Sequence, residues 1–133
     1  MNIRYSFELE NITEESLKSL FLSVAWESGN FPAKLYEAMM NSHAVVTAWD
    51  GDRLVGLANA LSDGVMTAYF HYVLTNPAYQ GRGIGKTMME MMMDHYKDYY
   101  TKVLISYPKA IKFYKSLGFQ SEDDSLPMYV FTE

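Results

Sequence analysis

Asn76-Pro77-Ala78-Tyr79-Gln80-Gly81-Arg82-Gly83-Ile84-Gly85-Lys86-Thr87 packs three glycines into five positions. Asn76-Pro77 closes an apolar run rich in Tyr, Phe and Val, and a helical pattern opens at Gly85. Glycines let successive backbone N–H groups point one way, beside the positive end of the following helix. Such a strand–loop–helix junction cradles a phosphate or pyrophosphate, and Arg82 and Lys86 add positive charge to it.

Upstream, Val65 to Thr75 reads as a long strand, preceded by strands from His43 to Asp50 and Arg53 to Leu61. Asp50-Gly51-Asp52 and Ser62-Asp63-Gly64 are turn signals, so the three form an antiparallel meander. Near the N-terminus, Ile3, Tyr5, Phe7 and Leu9 alternate as in a strand. Thr13 then caps a helix carrying Leu17, Leu20, Phe21, Val24 and Ala25, its capping box lacking the usual Glu or Gln because Ser16 stands third. Gly29-Asn30 stops that helix, and Pro32 starts a second with Leu35, Tyr36, Met39 and Met40. Downstream, Gly85 to Tyr100 predicts a long Met-rich helix and Val103 to Ile105 a short buried strand. Ala110 to Leu117 predicts a helix ended by Gly118, and Phe119 to Phe131 a hairpin turning at Glu122-Asp123-Asp124-Ser125. The order predicts an α/β fold over residues 1–133 as one domain: a mixed, mostly antiparallel central sheet flanked by helices.

The 133 residues include 11 Lys and Arg against 16 Asp and Glu, a net charge of −5, with a pI near 5.1 and mean hydropathy −0.15. This acidic balance argues against nucleic acid as a partner. No apolar run approaches the ~18 residues of a membrane span, and nothing near Met1 reads as a signal peptide, so a cytoplasmic location is expected. The absence of Cys removes disulfides, thiolate metal sites and a cysteine nucleophile. His43 and His95 lack partners at ligand spacing, and no metal is expected.

Three patterns compete for the glycine loop. Gly85-Lys86-Thr87 matches the end of a Walker A loop, but Gln80 occupies the position of its first glycine. A dinucleotide fingerprint fails because Lys86 replaces its third glycine. Gln80-x-x-Gly83-x-Gly85 fits the Gln/Arg-x-x-Gly-x-Gly/Ala pattern throughout and resembles motif A of the GNAT (GCN5-related) N-acetyltransferases. Pro108 to Phe119 contains Ala110-x-x-Phe113-Tyr114-x-x-x-Gly118-Phe119, which resembles a second segment of that family at the family's spacing. The short length and the Ala60-Leu61-Ser62-Asp63 turn resemble a bacterial subgroup of single-domain members.

The resemblance implies acetyl-CoA as the acetyl donor, lying in a cleft between two parallel strands that splay apart. The backbone of Val73, Leu74 and Thr75 would hold the pantetheine arm. The N–H groups of Gly81, Arg82, Gly83, Ile84, Gly85 and Lys86 would hold the pyrophosphate, with Gln80 opening the loop and Phe113 beside the thioester. An acceptor amine, with a pKa near ~10.4, must lose a proton before attack, and a departing thiolate benefits from an acid. By resemblance Tyr114 is that acid, and the N–H near Leu74 could polarise the carbonyl.

Two features depart from the family pattern. Many relatives carry an acid on the strand before motif A, whereas Thr67 to Thr75 has none; His71 is the first choice of base. Strict alternation places Tyr69, His71 and Val73 on one face and Tyr72 on the other, so His71 and Tyr72 would not share the cleft. Tyr107 stands where many relatives have Asn.

These readings compete with blander ones. Tyr114 and Phe113 also suit core packing, and His71 a hydrogen-bonded sheet position. Trp26, Phe31 and Tyr36 form either core or an aromatic-walled acceptor region. Met91, off the main stripe of its helix, marks a candidate homodimer contact. Two functions are carried forward: acetyl transfer to a primary amine of a small molecule or peptide, and acyl-CoA binding without catalysis.

Overall fold

The computed structural model describes residues 2–132. One sheet holds five strands in chain order: β1 (Arg4–Ser6), β2 (Ala44–Asp50), β3 (Arg53–Ser62), β4 (Thr67–Thr75) and β5 (Thr101–Leu104). β1 to β4 run antiparallel to their neighbours, and β5 joins β4 in parallel. The helices are α1 (Glu14–Ser23), α2 (Pro32–Met40), α3 (Ile84–His95) and α4 (Ile111–Ser116). The mixed sheet flanked by helices is the one the sequence predicts.

Alternate residues of β2 and β3 feed two cores. Val46, Ala48, Val55 and Ala58 pack with Met88, Met89, Met92 and Tyr96 of α3 and its C-cap. Val45, Trp49, Leu54 and Leu57 pack with Leu17, Leu20 and Phe21 of α1 and with Leu35 and Met39 of α2. α3 lies tight against the sheet at Gly56, where an added Cβ would stand 3.1 Å from Ile84 Cγ2 and from Met88 Cε. Thr47 joins β1 to the sheet by accepting from Trp49 Nε1 (2.8 Å) and donating to the Ser6 carbonyl (3.2 Å).

Local chemistry moves several predicted boundaries. The Thr13 capping box is complete: the Thr13 hydroxyl accepts from Ser16 N–H, and Ser16 Oγ accepts from Thr13 N–H, both at 3.0 Å. A serine hydroxyl thus does what Glu or Gln was expected to do. β4 begins at Thr67 because one Asp63 carboxylate oxygen takes the N–H groups of Val65, Met66 and Thr67, committing Val65 and Met66 to the turn. These bonds hold the Asp63 pKa below its usual value. α3 stops at His95 rather than Tyr100, before Asp98-Tyr99-Tyr100, a run of weak helix formers. β5 starts at Thr101, where Thr101 N–H donates to the Met66 carbonyl.

One expectation fails. The Phe119–Phe131 hairpin does not form among the described residues; Leu126, Met128 and Val130 are 83%, 93% and 95% exposed and belong to no strand. Their apolar alternation pairs with neither edge strand of the sheet. Met91 is partly buried and packs against the α3-side core.

Candidate functional site

The site grows from the unequal lengths of β4 and β5. Their pairing runs from Thr67↔Thr101 to Phe70↔Leu104 and stops, while β4 continues to Thr75 against β3. Over its second half β4 therefore presents alternate backbone groups to an edge with no strand partner. Val73, Leu74 and Thr75 lie on this open stretch, Val73 and Leu74 with their side chains in the two cores.

The glycine loop is fastened directly below. Asn76 N–H donates to the Val55 carbonyl at 2.8 Å, and Asn76 Oδ1 caps the short turn Pro77–Tyr79 through Ala78 N–H. Gln80 Nε2 donates back to the Thr75 carbonyl at 3.3 Å. Tyr79 donates its hydroxyl to Asp50 and lies under the guanidinium groups of Arg53 and Arg82, 5.6 and 5.3 Å from its ring centre. Gly81 and Gly83 both take left-handed φ values, 80° and 78°, which only glycine adopts without strain. Gly83 is also the N-cap of α3; the first N–H groups of that helix have no intrahelical acceptor. Gly85 faces Phe113 and Thr75: a Cβ there would meet Phe113 Cζ at 3.5 Å and Thr75 Oγ1 at 3.8 Å. β4, α3 and α4 thus converge where the predicted cofactor residues stand.

The conflict between His71 and Tyr72 is resolved by a bulge. The β3–β4 register passes from Ala58↔Val73 to Ala60↔Phe70, so His71 and Tyr72 together oppose the single residue Asn59. Buried Asn59 takes up the disturbed backbone, Oδ1 accepting from Tyr72 N–H at 2.8 Å and Nδ2 donating to Ser42 Oγ at 3.1 Å. The bulge reverses the alternation beyond it, so Phe70 and Val73 face α3 whereas Tyr72 and Leu74 face α1 and α2. The His71 and Tyr72 rings stack 4.1 Å apart on the same side, against the separation that strict alternation predicts. Tyr69 stacks on His71 from the other flank at 5.6 Å. Asn59 was missed because a buried Asn in a meander carries no motif.

Burial pulls the His71 pKa below its usual value, favouring the neutral ring at pH 7. Neither ring nitrogen has a hydrogen-bond partner among the described residues. The Tyr69 hydroxyl is pushed up by burial, with Tyr129 and Tyr72 adding to it. Trp26 lies against Tyr72 (5.8 Å) and Tyr107 (6.5 Å). Of the three aromatic residues in the α1–α2 region, Trp26 joins this cluster; Phe31 is exposed with Lys34 over its ring, and Tyr36 packs at the edge of the core.

Tyr114 of α4 packs edge-on to Phe113 (5.0 Å) and Phe119 (5.9 Å). Burial raises its pKa, so the phenol keeps its proton at neutral pH. Its hydroxyl has no partner, and no buried polar side-chain atom among the described residues lacks one, so that hydroxyl reaches the surface. No group of three His, Asp or Glu among the described residues could hold a metal ion. No helix among them is long and apolar enough to cross a membrane. A concavity of about 490 Å³ lies beside Thr13, Ser16 and Arg53, on the α1 side of β3. The glycine cradle and the strand opening outweigh it, because they bring anion-binding groups and an unpaired backbone to one place.

The sheet thus opens between two parallel strands beside a glycine loop at the start of the next helix. The model of the Acetyltransferase (GNAT) family matches residues 9–119. The chain belongs to that family. It is 31% identical over 126 residues to "GCN5-related N-acetyltransferase 1, chloroplastic" of Arabidopsis thaliana, covering 92% of this chain and 64% of that protein. It is 32% identical over 130 residues to the "Uncharacterized N-acetyltransferase ycf52-like" of Prochlorococcus marinus, covering 91% and 72%. The chain thus spans just under two thirds of the plant relative's length. A solved "Probable Acetyltransferase" from meticillin-resistant Staphylococcus aureus superposes with a TM-score of 0.87 at 26% identity, covering 98% of this chain and 100% of that one.

Proposed function

We propose that this protein transfers an acetyl group from acetyl-CoA to a primary amine of a small molecule or peptide. The observation that carries the reading is the meeting of the open β4 edge with the left-handed glycines at the α3 N-terminus. A pantetheine arm has amides that an unpaired strand edge can hydrogen-bond, and a pyrophosphate suits N–H groups at a helix start. Val73, Leu74 and Thr75 would hold the first, and Gly81 to Lys86 the second. Gln80 would brace the loop and Phe113 would lie against the arm near Gly85.

The reaction needs a proton removed from the amine and one delivered to sulfur. His71, kept neutral by burial, accepts the ammonium proton; the freed lone pair forms the C–N bond as the C–S bond breaks. An N–H of the open β4 edge near Leu74 polarises the carbonyl. Tyr114, still protonated at neutral pH, gives its proton to the departing thiolate, and the second proton shed by the acylated nitrogen restores the phenol. The test is the melting temperature with and without acetyl-CoA, with ATP–magnesium and NAD as controls. Ligand at ~100 times its Kd adds about 2.7 kcal/mol. A shift with acetyl-CoA alone supports the reading, and thiol release with an amine separates catalysis from mere acyl-CoA binding. No shift refutes it. Tyr114→Phe lowers turnover more than acetyl-CoA affinity; equal turnover returns Tyr114 to core packing.

A further inference from the structure

The glycine loop hangs between two buried posts. Tyr79 is 8% exposed and Ile84 2%, while Gln80, Gly81, Arg82 and Gly83 between them are all exposed. A Cβ added at Gly81 or Gly83 would meet nothing within 4 Å, so there is open space where packing would otherwise steady the loop. Its placement is therefore set from its ends. Ile84 is fixed by the α3-side core. Tyr79 puts its ring into the same core, and its hydroxyl reaches out to donate to Asp50 Oδ2 at 2.5 Å. Asp50 pairs with Arg53 across the β2–β3 turn, and Arg53 lies over the Tyr79 ring at 5.6 Å. The turn thus grips Tyr79 by its hydroxyl and by its face. Arg82, inside the loop, lies over that ring at 5.3 Å and carries the grip past Gly81.

We infer that Tyr79 and Asp50 are positioning residues for the cofactor: through their hydrogen bond the β2–β3 turn holds the glycine loop in its anion-binding shape in the free protein. The inference rests on the acetyl-CoA reading of that loop. Neither side chain has to touch a phosphate for this. A loop already in shape loses little freedom on binding, whereas a slack one must first be ordered, which lowers affinity. A hydrogen bond to an ionised carboxylate is among the stronger ones. It also holds the Tyr79 pKa above its usual value, so the phenol stays a donor throughout the neutral range. Charge alone predicts the opposite sign from fastening. Asp50 puts a carboxylate near a loop that takes an anion, so its removal should tighten binding if only charge matters. Acting through Tyr79, its removal weakens binding.

Calorimetry with CoA on the full chain compares the wild type with Tyr79→Phe, Asp50→Leu, Asp50→Asn and the double variant Tyr79→Phe/Asp50→Leu. Tyr79→Phe keeps a ring in the core and under both guanidinium groups, so it keeps the fold. Tyr79→Phe and Asp50→Leu should each weaken CoA by about 5-fold or more, and the double variant by no more than the worse single one. Asp50→Asn sheds the charge but retains an acceptor oxygen for the phenol, and should stay within about 2-fold of the wild type. In the free proteins, amide relaxation NMR should show Gly81 and Gly83 losing order in Tyr79→Phe and Asp50→Leu while α3 keeps its own. Unchanged CoA affinity in Tyr79→Phe, tighter binding in Asp50→Leu, or unchanged order at the glycines each overturns the inference and leaves acetyl transfer standing. If the wild type fails to bind CoA, the acetyl-CoA reading falls, and inorganic pyrophosphate titrated against the Gly81 and Gly83 amides decides the fastening. A weaker pyrophosphate response in Tyr79→Phe then supports it, and an equal response or none overturns it.

Discussion

Replacing Asn59 by Ala should unfasten the bulge that puts His71 and Tyr72 side by side. Asn59 is 2% exposed and makes two hydrogen bonds through one amide. Its loss leaves Tyr72 N–H without its acceptor in a half-buried place, which costs about 1–3 kcal/mol. Ser42 keeps its bond to the Ala38 carbonyl, so losing the second contact adds only ~0.5–1 kcal/mol. The sum is about 2–4 kcal/mol. At ~2.1 cal/mol/K per residue, 133 residues give an unfolding entropy near 0.28 kcal/mol/K, so Tm falls by roughly 7–14 °C. Far-UV circular dichroism follows the melt, and the near-UV band reports on Trp26, which leans on Tyr72. Ser42→Ala spares the Tyr72 contact but strands the buried Asn59 Nδ2, so it should cost about 1–3 kcal/mol while leaving the near-UV band unchanged. A loss below ~0.5 kcal/mol in Asn59→Ala with an unchanged near-UV band would show that the ladder alone holds the bulge, and the argument from Asn59 would fail.

Other parts of the molecule make equally definite claims. Gly83→Asp puts a carboxylate into the loop and should weaken CoA binding by about 10-fold or more in calorimetry; unchanged affinity would place the pyrophosphate elsewhere. Gly56→Val drives a side chain against Ile84 and Met88, which an added Cβ alone already meets at 3.1 Å, and should cost about 1–3 kcal/mol in urea unfolding. Burial, aided by Tyr99, pushes Tyr96 up to about 12 from its ordinary 10. The unfolded chain then loses that proton first, so this contribution to stability is complete below pH 10 and drains away between pH 10 and about 12. Tyr96→Phe, which also gives up the 2.7 Å bond to His43 Nδ1, should flatten that alkaline decline in a Tm-against-pH series.

What could be read from the residues was local. The glycine loop announced itself because left-handed backbone at Gly81 and Gly83 restricts the choice of residue there. The meander announced itself through its Asp-Gly turns, and α4 through Gly118, whose φ is 100°. The bulge did not: one extra residue opposite Asn59 changes the facing of everything beyond it and leaves no trace in composition. β5 begins at the polar pair Thr101-Lys102, which looked like loop because an edge strand tolerates polar side chains. The C-terminal segment shows the reverse case. Its alternation is that of a strand, yet it pairs with neither edge strand of the sheet, because alternation alone does not decide pairing. The glycine loop was therefore legible from its own residues, while the ring contacts around His71 and Tyr72 required long-range pairing to assemble.

One helix does two jobs, and sulfur chemistry makes the link measurable. The face of α3 that fills the core carries the thioethers of Met88, Met89 and Met92, all shut away from solvent, while its first turn adjoins the glycine loop proposed to hold the pyrophosphate. Peroxide oxidises a thioether only where it can reach it, so these three record each opening of the helix as a gain of oxygen mass. Exposed Met66 and Met128 react at once and calibrate the dose. An anion held at the Gly81–Lys86 turn clamps the same helix, so peptide mass spectrometry should find Met88, Met89 and Met92 oxidising more slowly when the loop is filled. The core of this protein thereby becomes a clock for its binding site.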